Sequence, residues 1–105
     1  MSYEFYNAAE KIHQDLREEI AELQDSLSGD EGLEIVISGS PSDFILTGIG
    51  YSGPDLLVFY GHCDKREVRI LQHVSQVNVC LKIVKRKNTD IPRVTIDFFV
   101  LPEDE

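Results

Sequence analysis

Phe44 to Gly61, FILTGIGYSGPDLLVFYG, is the stretch that most narrows what this chain can fold into. It reads as two β-strands folded back on each other around a Gly-rich corner that carries a proline. Phe44, Leu46, Gly48 and Gly50 fall on one side of the first strand, with Ile45, Thr47, Ile49 and Tyr51 on the other. Leu56–Tyr60 is an unbroken apolar run, the pattern of a buried central strand. Between them Ser52-Gly53-Pro54-Asp55 has turn chemistry: Gly permits positive φ, Pro pre-sets φ, and Asp bonds nearby backbone N–H groups. Pro54-Asp55 is therefore read as structural, with the Asp55 side chain capping the turn.

The other elements are placed around this hairpin. Phe5, Ala9, Ile12, Leu16, Ile20, Leu23 and Leu27 recur at spacings of three and four, which predicts a helix over residues 3–28 with one apolar stripe. Ser2 is its expected N-cap, and Ser28-Gly29 its end. Such a helix is about 39 Å long, longer than a small sheet. Its stripe is therefore expected to pair with a second copy, making a homo-oligomer through residues 3–27. Asp30-Glu31-Gly32 reads as a turn, Leu33–Ser38 as a strand, Gly39–Asp43 as another turn, and Val68–Leu71 as a strand after a polar loop at 62–67. From His73 the period changes: Val74, Val77, Leu81 and Val84 predict a second helix ending in Lys85-Arg86-Lys87, although Val77-Asn78-Val79 also fits a strand. Pro92 forbids helix, and Val94–Leu101 reads as the last strand, before an acidic tail.

The fold class expected is α+β in one domain over residues 1–105: two layers, a mostly antiparallel five-stranded sheet, a long N-terminal helix and a second helix before the last strand. Strands up to Leu71, joined by short turns, should be antiparallel neighbours.

Composition bounds the function. A net charge of −9 argues against nucleic-acid or anionic-membrane binding, both of which need a positive field. No apolar run approaches the ~20 residues of a membrane span, and the first residues lack signal-peptide character. The two cysteines, Cys63 and Cys80, are too few for a disulfide scaffold, so reduced thiols and a cytoplasmic location are expected. The charge is uneven: residues 1–28 sum to −5 and residues 82–93 to +4.

Several motifs weaken on inspection. Gly48-Ile49-Gly50-Tyr51-Ser52-Gly53 spells GxGxxG, but a strand follows it where a dinucleotide site needs a helix N-terminus. The glycines are read as serving a bend and a tight turn. His62, Cys63, Asp64, His73 and Cys80 lack the paired spacing of a zinc site, so no metal or cofactor is expected. Cys63 beside His62 or His73 makes a weak nucleophile–base pair, with no third group to orient it.

Gln72-His73-Val74-Ser75-Gln76-Val77-Asn78 is the most unusual segment, dense in donors and acceptors. Together with the hairpin it suggests a recognition surface. Tyr51 and Tyr60 would stack, Gln72, Gln76 and Asn78 would hydrogen-bond, and His73 with Arg93 would meet an anionic group. His62 and Arg69 are further stacking and charge candidates.

The string GYSGPDLLVFYG followed by VRILQHVSQVNVCL resembles a family of small bacterial and phage proteins known as a domain of unknown function. The shared pattern covers about residues 48–81, on Gly50, Tyr51, Pro54, Asp55, Phe59, Tyr60, Gly61, Gln72, His73, Ser75, Gln76 and Asn78. The resemblance implies no catalytic residues. It implies a phage or prophage setting, in which many small proteins counter host defence without catalysis. The function expected is a non-enzymatic protein sequestering a small polar, nucleotide-derived ligand. The alternative is an acidic inhibitor that binds a host defence protein by imitating nucleic-acid charge; a Cys- or His-dependent hydrolase ranks third.

Overall fold

The computed structural model describes residues 7–87 and 95–101. In chain order these form α1 (Ala8–Ser26), β1 (Glu31–Ile37), β2 (Ile45–Ser52), β3 (Leu56–Cys63), β4 (Arg66–His73), a short 3₁₀ turn (Val74–Gln76), β5 (Val79–Lys85) and β6 (Asp97–Val100). The class is α+β, as the periodicities indicate. The arrangement differs from a single five-stranded sheet. Two sheets form among the described residues, β4-β3-β2-β6 and a two-stranded ribbon β1-β5. All pairs are antiparallel except β2 with β6.

The second helix is absent: Val79–Lys85 is a strand, and only Val74–Gln76 turns helically. The three-four-three spacing from Val74 to Val84 coincides with an alternation in which Val79 and Leu81 face the core. β-Branched residues and a partner strand settle the choice. β1 supplies the ladder, from Ile37 opposite Val79 to Glu31 opposite Lys85. β1 is consequently not a neighbour of β2, despite the short turn between them.

α1 starts at Ala8, because Asn7 is extended and its Oδ1 accepts the Glu10 N–H at 2.8 Å. The proposed cap Ser2 and the stripe residue Phe5 lie outside the described residues. The helix ends at Ser26 through an extended Leu27, with Ser28 held by Glu31, not through a left-handed Gly29. Its 19 residues span about 28 Å, close to the ~26 Å of an eight-residue strand such as β2. The helix therefore matches its own sheet. Ala9 and Ile20 are fully buried in the core with Ile37, Leu46, Ile49, Leu57 and Phe59, and Ile12 and Leu16 pack against them.

A register shift between Leu46 and Gly48 changes the reading of β2. The bulge puts Leu46 and Ile49 in the same core, whereas strict alternation would set them on opposite faces. Thr47, at the shift, donates its hydroxyl to the Tyr60 carbonyl at 3.3 Å.

The Gly-Pro-Asp corner is a junction. The Pro54 carbonyl accepts the Ala9 N–H at 2.9 Å, tying down the first turn of α1, and the Asp55 carbonyl accepts the Val74 N–H at 2.9 Å. Asp55 thus acts through its backbone. Its carboxylate does not cap the turn but is largely exposed, 3.7 Å from His73 Nε2. Asn7 packs so closely on Gly53 that a Cβ there would meet its side chain. At the other end, Asp64 and Lys65, both with positive φ, close a two-residue turn between Cys63 and Arg66.

Candidate functional site

The four-stranded sheet has two unlike faces. Leu57, Phe59, Ile49 and Ile70 point toward α1 and belong to the core or pack on it. The pleat sends the alternate residues to the opposite face, and the registers align them in rows across the strands. One row is Arg69, Tyr60, Gly48 and Asp97; the next is Leu71, Val58, Gly50 and Phe99. The described helix lies on the other side. Leu71 is 61% exposed here and Ile45 45%.

Phe99 organises this open face. A Cβ on Gly50 would lie 2.7 Å from Phe99 Cε2, and one on Gly48 would lie 3.1 Å from Cε1. Both glycines thus form a bed on which the ring lies, which explains two glycines in a strand better than a bend does. The Tyr60 ring is tilted against Phe99 with centroids 4.9 Å apart. The Arg69 guanidinium sits over the Tyr60 ring, 5.2 Å from its centroid. Arg69 also reaches Glu67 at 3.5 Å, a long contact between exposed groups that leaves most of its five donors without a partner among the described residues.

The residues expected to converge are divided between the faces. Tyr60 and His73 share the open face by register. Tyr51 lies on the helix side, its ring 4.9 Å from His13. Burial of the phenol, and next the nearby Glu10 carboxylate, raise the Tyr51 pKa above the usual value of 10.0. Gln72 is buried and inward-facing, donating its Nε2 to the Ser38 carbonyl at 2.9 Å. Its Oε1 is buried with no hydrogen-bond partner among the described residues. Gln76 and Asn78 are exposed beside the short turn, where the Asn78 carbonyl accepts the Ser38 N–H at 3.0 Å. Arg93 lies outside the described residues.

Asp55, His73 and Ser75 meet in the contact order of a nucleophilic triad. Ser75 Oγ is 2.8 Å from His73 Nδ1, and Asp55 Oδ2 is 3.7 Å from Nε2. The same Nδ1 accepts the Ser75 backbone N–H at 3.1 Å. One lone pair engaged by a main-chain donor is a cap for the short turn, not a poised base, and the group is open to water. Among the described residues no group of three or more His, Cys, Asp or Glu could hold a metal ion. Cys63 and Cys80 are free thiols.

Sequence reasoning missed His13 and Phe99. His13 sits in the apolar stripe of α1, 7% exposed, and donates its Nε2–H to the Ile49 carbonyl at 2.9 Å between the rings of Tyr51 and Phe98. Its position between Ala9 and Leu16 in the stripe was the available signal. Phe99 follows Phe98 in a strand, and alternation alone sends one ring to each face; the two glycines were its counterpart. No helix is long and apolar enough to cross a membrane among the described residues.

No curated protein matches the chain, and no solved structure does. The match that exists is to a family model over residues 2–99, nearly the whole sequence and well beyond the motif region. The chain belongs to a family of unknown function, DUF6173.

Proposed function

We propose that this protein is a non-enzymatic binding protein that holds a small, ring-bearing, nucleotide-like ligand on the open face of its four-stranded sheet. One observation carries the reading: a tyrosine and a phenylalanine lie side by side on an open strand surface, with an arginine over one of them. Aromatic faces on a sheet stack planar bases at about 1–3 kcal/mol each, and the guanidinium offers charge-assisted hydrogen bonds to a phosphate. A mononucleotide-sized ligand suits a chain of net charge −9 better than a polymer does, because a polymer's many phosphates meet a repulsive field. In the phage or prophage setting that the motif resemblance implies, such a protein would remove a signalling nucleotide from host defence by sequestration.

The test is a thermal-shift screen against cyclic and linear nucleotides, since a ligand specific to the folded state raises the melting temperature by mass action. The reading expects at least one nucleotide to stabilise the wild type and to fail on Tyr60→Ala. No stabilisation by any nucleotide would remove it.

A second reading rests on the outer face of α1, where Glu10, Glu18, Glu19, Glu22 and Asp25 are exposed and Lys11 is paired with Asp15 at 2.6 Å. That face would suit a basic partner protein. Pull-down by a basic host protein that is lost on neutralising Glu18, Glu22 and Asp25, with Tyr60→Ala unaffected, would favour it.

A further inference from the structure

The row Arg69–Tyr60–Gly48–Asp97 has a cation at one end and a carboxylate at the other, with the Tyr60 ring between and the Phe99 ring of the next row lying over Gly48. Three inter-strand spacings of about 4.8 Å separate the outer backbones by about 14 Å, a span that a nucleotide fills once the side chains reach inward. Asp97 is exposed on the edge strand β6, and Phe99 two residues on fixes which way it faces. Glu67 adds a second carboxylate beside Arg69.

Resting on the binding reading above, we infer that this row sets both the polarity and the charge of the ligand: an amino-bearing base with its exocyclic amine toward Asp97, and a single anionic phosphodiester toward Arg69. An ionised carboxylate only accepts hydrogen bonds, so Asp97 selects a base edge that donates. Arg69 is the one cation in these described rows, and its contact with Glu67 is long and solvent-exposed, so it can turn its guanidinium to one anionic group. A triphosphate would bring further charges to a face that has no second arginine or lysine in its described rows and would be repelled.

Calorimetric titration of the whole protein tests this with cyclic AMP, its purine analogue lacking the exocyclic amine, and ATP. Cyclic AMP should bind best. The analogue should lose roughly tenfold, the scale of one hydrogen bond to a charged partner. Asp97→Ala should erase that difference, and Arg69→Gln should weaken cyclic AMP by a similar factor. Circular dichroism checks that both variants remain folded; both positions are exposed. ATP binding tighter than cyclic AMP, or an unchanged amine preference in Asp97→Ala, overturns the inference. If either occurs while Tyr60→Ala still abolishes binding, the sheet-face reading stands and only the polarity and charge assignment falls. If none of the three compounds binds, the polarity and charge assignment falls, and the nucleotide-wide thermal-shift screen decides the binding reading separately.

Discussion

Gly50→Ala isolates the Phe99 seat. Its φ lies outside the left-handed region, so alanine meets no backbone strain there. Replacing Gly by Ala would then be worth about 0.4–1 kcal/mol in favour of folding, by restricting the unfolded chain. Against this, the new Cβ would stand 2.7, 3.1 and 3.3 Å from three ring carbons of Phe99. An aromatic ring cannot give way as a flexible side-chain tip can, so it must leave its bed or tilt into Tyr60. Overpacking of this kind costs typically about 1–3 kcal/mol, so the net expectation is a loss of about 1 kcal/mol. For a domain of this size that lowers the melting temperature by roughly 4–8 °C. The decisive assay is a double-mutant cycle by urea denaturation. In a Phe99→Ala background the clash is gone, so Gly50→Ala should become neutral or stabilising, giving a coupling of about 1–2 kcal/mol. Equal cost in both backgrounds would refute the bed-and-ring account.

Three other expectations follow from contacts elsewhere. Asn7→Ala should cost about 1 kcal/mol, the usual loss of an N-cap, measurable as a lower urea midpoint with unchanged slope. Gln72→Glu should cost at least about 2 kcal/mol at neutral pH, since a carboxylate cannot donate to the Ser38 carbonyl and would bury a charge; the same urea titration reads it. The Tyr51 phenol should ionise above pH 10.0 in a tyrosinate absorbance titration, its contribution read as the difference from Tyr51→Phe. Because its folded-state pKa is raised above 10.0, the stability it contributes is complete below that pH and is lost as pH rises through the folded value; Glu10→Gln should lower the folded value and so make that loss smaller.

The hairpin was legible because its two signals agree: apolar runs of strand length and a Gly-Pro-Asp corner between them. The amphipathic stripe of α1 was legible for the same reason, but its start was not. Asn7 is one cap among several polar candidates, and only its fit against Gly53 and the Pro54 carbonyl singles it out. The segment 74–85 misled because helix and strand periods overlap over so few valines, and the deciding fact, the β1 ladder, pairs residues 42 to 54 positions apart in sequence. The motif QHVSQVN looked like a site because of its polar density. Much of that density serves folding instead: Gln72 bonds Ser38, His73 caps the short turn, and the Asn78 backbone holds Ser38. The face that bears the candidate site was hidden for a different reason. Tyr60, Arg69, Gly48, Gly50 and Phe99 come from four strands, and no local pattern states that they share a face.

The central claim, that a nucleotide sits on the open sheet face, is tested most directly by heteronuclear NMR. Nitrogen-labelled protein would be titrated with cyclic AMP while the backbone amide shifts are mapped. The account expects the largest, saturable shifts at Val58, Tyr60, Arg69, Leu71 and Phe99, with the exposed face of α1 unmoved. Shifts confined to α1 around Glu18 to Asp25, or to the turn at Ser75 and Gln76, would contradict it.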